Sequence, residues 1–331
     1  MPHTSLYPLR FEPMFQYRLW GGRHLGSWSR TPLPNDVPIG ESWLLSDREE
    51  MPSRVAEGAL KGVTISELMS RYPVEMLGSM ASHFKRFPLL LKLLDVKEML
   101  SVQVHPSDTD KALLPMGEMG KTEGWYFLEA EPSAKVYAGL KSGVDADDLR
   151  SLSPDTVDDC IASFAPHHGD ALLLNAGTVH ALGKGAVVFE VQENSDVTFR
   201  LYDWDHIDPK TGERRQLQVD KALACIDFQK GQVLPVSPAP ESRSPVLRER
   251  VFDCSHFRMW RIRSHSPFAV GSDHSVRIAV CVEGGGSLHS GDVAYPMMQG
   301  DVMMIPAAVG SCTFRPDGIA EVLEVAAPEA A

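Results

Sequence analysis

The sequence predicts a mainly β protein: two jelly-roll barrels with a few inserted helices. Three observations carry this. Twenty-four prolines and 26 glycines are spread along the 331 residues and punctuate short apolar runs, the pattern of many strands joined by tight turns. The runs at 89–94, 99–104, 124–129, 135–139, 170–174, 186–192, 197–202, 257–263, 276–283 and 300–305 have strand length and composition. Finally, the chain repeats itself. Gly169-Asp170 and Gly300-Asp301 each open an apolar strand that closes in a turn of small residues. A strand so apolar is covered on both faces, and two copies of it suggest a duplicated antiparallel barrel.

Helix signals are fewer. Thr64 followed by Glu67 is a capping box opening a helix at 65–71. Apolar spacing predicts a second helix at 74–84 and a third at 145–152. Ser153-Pro154 opens a fourth, with Pro154 at its first helical position. A fifth covers 219–228. Residues 232–244, with three prolines and three serines, read as a connector. The expected organisation is therefore two units, 1–231 and 245–331. At the spacing between Gly169 and Gly300, His180 falls opposite Ser311. The first unit thus keeps a potential metal ligand where the second has none, and the second reads as structural.

Composition excludes several functions. Hydrophobic residues make up 43% and charged residues 23%, ordinary for a soluble globular chain. No apolar run is long enough for a bilayer, so no membrane partner is expected. The opening Met1-Pro2-His3-Thr4-Ser5-Leu6-Tyr7-Pro8 lacks the basic patch and apolar stretch of a signal peptide. Cys160, Cys225, Cys254, Cys281 and Cys312 are odd in number and form no CxxC pair. That pattern points to reduced thiols and a cytoplasmic location. A formal net charge of −12 argues against nucleic acid. An anionic small molecule is still compatible with it, provided lysine or arginine is concentrated at the site.

Four segments hold candidate chemistry. On a strand through Ser101-Val102-Gln103-Val104-His105, alternation puts Ser101, Gln103 and His105 on one face. Such a face looks onto a ligand, a metal or, on an edge strand, water. Gly120-Lys121-Thr122-Glu123 sets a lysine and a carboxylate just before a β run; in isolation an exposed turn explains it equally. Gly177-Thr178-Val179-His180 carries a histidine into a strand, as a metal ligand or a hydrogen-bonded structural group. In 190–203, Glu190 shares a strand face with Gln192, and Thr198 with Arg200. Arg200 either pairs with Asp203 or Asp205, or offers its guanidinium to a substrate.

Taken together, Gln103-Val104-His105-Pro106, Gly120-Lys121-Thr122-Glu123, Ala176-Gly177-Thr178-Val179-His180-Ala181 and the run Asn194 to Asp203 resemble type I mannose-6-phosphate isomerases, in their short bacterial form. Trp20-Gly21-Gly22 and Gly40-Glu41-Ser42-Trp43 extend the resemblance, which covers roughly 6–205. It implies a two-cupin fold and one zinc ion per chain, held by Gln103, His105, Glu123 and His180. It also implies a small phosphorylated sugar as substrate. Arg200 matches the family's catalytic arginine, Glu190 a carboxylate near the reacting carbons, and Ser101 and Lys121 positions near the substrate. Where longer relatives carry a lysine a few residues after the arginine, this chain has Trp204-Asp205-His206. The longer relatives' inserted helical domain is absent too.

The implied reaction is aldose–ketose isomerisation of mannose 6-phosphate and fructose 6-phosphate, through a cis-enediol. Glu190 is the candidate proton shuttle, with Lys121 and a water on the metal as competitors. Two other readings fit a cupin: an iron-dependent oxygenase, which favours a ligand set richer in histidine, and a non-catalytic sugar sensor, which would lack a ligand or the arginine. The assembly expected is a monomer or homodimer.

Overall fold

The computed structural model describes residues 6–34 and 36–328. Residues 1–5 of the stretch read for a targeting segment lie outside them. The first part of the chain forms β1 (Met14–Gly22), β2 (Ile39–Leu45), β3 (Leu89–Val96), β4 (Val102–Val104), β5 (Glu123–Ala130), β6 (Val136–Leu140), β7 (Ile161–Phe164), β8 (Ala171–Leu174), β9 (His180–Leu182), β10 (Ala186–Glu193) and β11 (Phe199–Tyr202). These make a six-stranded sheet, β1-β2-β3-β10-β5-β8, and a five-stranded sheet, β11-β4-β9-β6-β7.

The rest forms β12 (Ala239–Ser242), β13 (Leu247–Asp253), β14 (Arg258–Ser264), β15 (Phe268–Val270), β16 (Arg277–Glu283), β17 (Gly285–Ser290), β18 (Val293–Met298), β19 (Val302–Ile305), β20 (Cys312–Pro316) and β21 (Ala320–Ala326). These again make a six-stranded sheet, β12-β13-β14-β21-β16-β19, facing a four-stranded one, β15-β20-β17-β18. The sequence repeat has a structural counterpart. β8 and β19, the two Gly-Asp strands, each close the edge of a six-stranded sheet, beside strands in the same order.

Four apolar clusters define the layers. Leu94, Trp125, Phe127, Leu172 and Val188 of the first large sheet meet Val136, Ala138 and Leu182 of its partner. The other face of that sheet, with Leu89, Leu91, Leu93, Tyr126 and Phe189, packs on Phe252, Met259, Ile278, Val280 and Leu323. The two six-stranded sheets therefore stand back to back. Trp260, Ile262, Cys281, Leu288 and Phe314 fill the space between the two C-terminal sheets. Helices cover the outer face of the five-stranded sheet, where Leu149, Val157 and Ala222 pack on Val104, Val179 and Phe199.

The helices are α1 (Ile65–Arg71), α2 (Pro73–Leu77), α3 (Ala146–Arg150), α4 (Val157–Cys160) and α5 (Val219–Cys225). The capping box of α1 forms as read: Thr64 Oγ1 accepts from the Glu67 N–H and Glu67 accepts from the Thr64 N–H. Other expectations need correction. The α-helix expected at 74–84 ends at Leu77 and gives way to a 3-10 turn over Gly78–Met80, because Gly78 has φ +66 and a Cβ there would meet the His274 carbonyl. Pro154 does not start α4; it sits in a turn closed by Ser153 and Thr156 side chains, and the helix begins at Val157. α5 ends three residues early because Ile226 is extended and the Asp227 N–H bonds the Gly177 carbonyl. Within the expected connector, Val233 and Val236 donate to Ala138 and Ala171, and 239–242 is strand β12 paired to β13. The strand expected at 99–104 begins only at Val102.

Candidate active site

Register brings the predicted residues together from two facing sheets. On the large sheet Lys92, Glu190 and Trp125 are direct neighbours across β3, β10 and β5, and Glu123 stands opposite Gln192. Alternation then puts Glu123, Glu190 and Lys92 on the inward face. On the smaller sheet His180, Gln103 and Arg200 are neighbours across β9, β4 and β11. β4 is therefore an interior strand, and its polar face is not an edge exposed to water.

His105 and Lys121 flank these strands and are pinned by backbone bonds. Gly177 N–H donates to the His105 carbonyl, and Lys121 N–H to the Pro106 carbonyl. His105, Glu123 and His180 are at most 2% exposed, and their ligating atoms lie within 4.8 Å of one another. His105 Nε2 is 3.3 Å and His180 Nε2 3.2 Å from the Glu123 carboxylate. Each imidazole uses Nδ1 elsewhere: His105 on the Val197 carbonyl at 2.9 Å and His180 on the Thr178 carbonyl at 2.9 Å. A carbonyl can only accept, so both Nδ1 atoms carry the proton and both Nε2 lone pairs face Glu123.

This arrangement fits a divalent cation. His105 Nε2 and both Glu123 oxygens are buried without a hydrogen-bond partner among the described residues. Lys121, 2.8 Å from Glu123, offsets part of the carboxylate charge, but the two imidazole lone pairs facing it still repel it unless a further cation sits among them. Gln103 is placed to offer a fourth donor. Its Nε2 lies 3.3 Å from His180 Nε2, while its Oε1 accepts from the Ser101 hydroxyl at 3.1 Å. A half-turn of the amide exchanges the two atoms, and the hydroxyl can serve either as donor or acceptor.

The electrostatics fit the same picture. Burial and the nearby Lys121 push His105 down to about 3, so it stays neutral. Burial alone would raise Glu123, but Lys121, 2.8 Å away, and His105 hold it well below the usual carboxylate range. Burial and the Glu123 charge raise Glu190. Its Oε2 accepts from Trp125 Nε1 at 2.8 Å, and its Oε1 lies 3.3 Å from Lys92 Nζ with no hydrogen bond.

A cavity of about 330 Å³ opens beside this cluster, lined by Ser101, Gln103, Lys121, Glu190 and Arg200 among others. Asp203 pairs with Arg215 and Asp205 with Arg214, so neither neutralises Arg200. Its Nε is buried without a hydrogen bond among the described residues.

Residues 9–124 match the family profile of the type I phosphomannose isomerase catalytic domain. Over 321 residues, 95% of this chain and 97% of the relative, the sequence is 32% identical to a mannose-6-phosphate isomerase of Bacillus subtilis. The chain belongs to the type I phosphomannose isomerase family. This makes the protein an isomerase. A mannose-6-phosphate isomerase of Streptococcus mutans is 28% identical over 316 residues, spanning 96% of this chain and 97% of that one. The crystal structure of the mannose 6-phosphate isomerase from Bacillus subtilis superposes with a TM-score of 0.87 at 30% identity, covering 97% of this chain and 99% of that chain.

Several pocket residues were not singled out in the sequence. Lys92 is 2% exposed and lies within 4.0 Å of Glu41, Glu190 and Asp196. A lone lysine in the run Leu89-Leu90-Leu91-Lys92-Leu93-Leu94 was its signal, since a buried lysine must be paired. Arg18 bonds Glu41 through two nitrogens, at 3.0 and 2.9 Å. Arg215 and Asp208 reach the cavity from a loop, and no periodicity marks them.

Proposed function

We propose that the protein interconverts mannose 6-phosphate and fructose 6-phosphate, with the unit over 1–231 holding the site and that over 245–331 buttressing it. The observation that carries this reading is the buried cluster of His105, Glu123 and His180, with both imidazole Nε2 atoms facing the carboxylate, beside a cavity lined by Glu190 and Arg200. A zinc ion held by Gln103, His105, Glu123 and His180 would polarise the oxygens on the two reacting carbons. Glu190 Oε1 takes the proton from C2 of the open-chain aldose and returns it to C1 of the cis-enediol. Trp125 fixes the other Glu190 oxygen, so a single atom faces the substrate. Lys92 steadies the carboxylate when it is ionised, at 3.3 Å. Arg200 stabilises negative charge developing on the enediol oxygens, and Lys121 passes the hydroxyl proton from one oxygen to the other. Ser101 orients Gln103 and lines the cavity.

The raised pKa of Glu190 suits this role, because a carboxylate that holds a proton more readily than usual can both accept one and return it. Turnover in D2O tests the scheme. Deuterium should enter C1 of fructose 6-phosphate, and Glu190→Gln should lower kcat by roughly 10²- to 10⁴-fold while bound metal stays at the wild-type level. Near-normal turnover in that variant would remove Glu190 from the mechanism.

A further inference from the structure

The chain between β11 and α5 folds over the cavity as a hairpin. Trp204 and Asp205 start it at φ +52 and +57, and Ile207 bridges Arg214 across it. Two contacts clasp its tip to β1. Tyr17 Oη donates to Asp208 Oδ1 at 2.7 Å, and Lys210 Nζ lies 3.3 Å from the Tyr17 ring centre. Arg215, at the base of the returning arm, lines the cavity. Asp203 holds it through Nε and one Nη nitrogen, leaving the Nη1 group without a hydrogen bond among the described residues.

The other cavity groups have partners. Arg18 is engaged by Glu41, and Lys92 by Glu190 and Asp196. The Arg200 guanidinium has no side-chain partner among the described residues. Two guanidiniums, one fixed as a fork by Asp203 and one unpaired, therefore look onto the same small cavity. Guanidinium geometry matches the oxygens of a phosphate, and the Arg215 Nη1 group has no hydrogen bond among the described residues to compete with one. We propose that Arg215, presented by the hairpin, binds the substrate's phosphate group, leaving Arg200 for the enediol oxygens. This rests on the phosphosugar reading of the site. It also gives the segment with Trp204-Asp205-His206 a use: the cation for the phosphate comes from its far arm.

Arg215→Met, with Arg214→Met as control, tests this in the metal-loaded enzyme. Arg214 shares the hairpin and pairs with Asp205 but does not line the cavity. The readouts are KM and kcat for mannose 6-phosphate, and Kd by calorimetry for inorganic phosphate and for mannose. Arg215→Met should raise KM and the phosphate Kd by roughly ten- to hundredfold, with most of the loss in KM and little change in mannose binding. Arg214→Met should match wild type. Unchanged KM and phosphate affinity in Arg215→Met would overturn the proposal. So would equal loss for mannose, or an equal effect of Arg214→Met, since either means a collapsed hairpin. A wild type that binds phosphate through Arg215 yet leaves mannose 6-phosphate unconverted would uphold the inference and remove the isomerase reading.

Discussion

Glu41 is buried with Arg18 on one side and Lys92 on the other, and it accepts from Trp43 Nε1 at 2.8 Å. Burial works against its charge, but Lys92 and Arg18 prevail and bring it down to about 2. An unfolded glutamate titrates near ~4.3. The folded state thus binds the proton less readily, so Glu41 stabilises the fold fully above ~4.3 and loses that contribution as pH falls toward 2. Urea midpoints measured from about pH 5 to pH 3 should fall less steeply in Glu41→Gln than in wild type. Parallel curves would mean that the carboxylate is not held this way. At this scale the residues that the two sheets bring together, Gln103, His105, Glu123, His180 and Arg200, were legible as candidates, because they sit in short motifs on or beside strands. Lys92, Arg18 and Arg215 were less legible. Their roles depend on partners far away in the chain, such as Asp196 for Lys92, and local pattern carries no such information.

Individual strands position the chemistry by alternation. On β5, Glu123 points into the site while Gly124 faces the other way, toward the C-terminal sheet. A Cβ at Gly124 would stand 2.5 Å from Phe252 Cε2, and Phe252 is 1% exposed and packed edge-on against Phe257. With nowhere for the ring to move, Gly124→Ala should destabilise the protein by about 1–3 kcal/mol. Chemical denaturation measures this, and an unchanged midpoint would show that the ring can give way. Strands such as β3 and β10 were legible as continuous apolar runs covered on both faces. β1 and β2 were missed because polar side chains interrupt them: Gln16 and Arg18 on β1, Glu41 and Ser42 on β2. Short α2 and α4 were misread because helix spacing is visible in sequence, whereas the His274 carbonyl against Gly78 is not.

Two six-stranded sheets back to back make the centre of the molecule apolar, and the candidate site lies inside the first pair of sheets. The duplication was legible in the Gly-Asp strands, but their back-to-back packing was not, since both faces of such strands are equally apolar. Asymmetry between the copies also follows from the side chains. Trp260, Phe268 and Phe314 fill the C-terminal interior, where the first pair keeps His105, Glu123 and His180. Among the described residues no helix is long and apolar enough to cross a membrane. The most direct test of the account is metal analysis paired with mannose 6-phosphate turnover, before chelation, after it and after zinc return, with His180→Ala alongside. The expected result is about one zinc per chain, activity that disappears and returns with the metal, and a folded variant deficient in both. Full activity in metal-free protein, or in a His180→Ala variant lacking zinc, would contradict it.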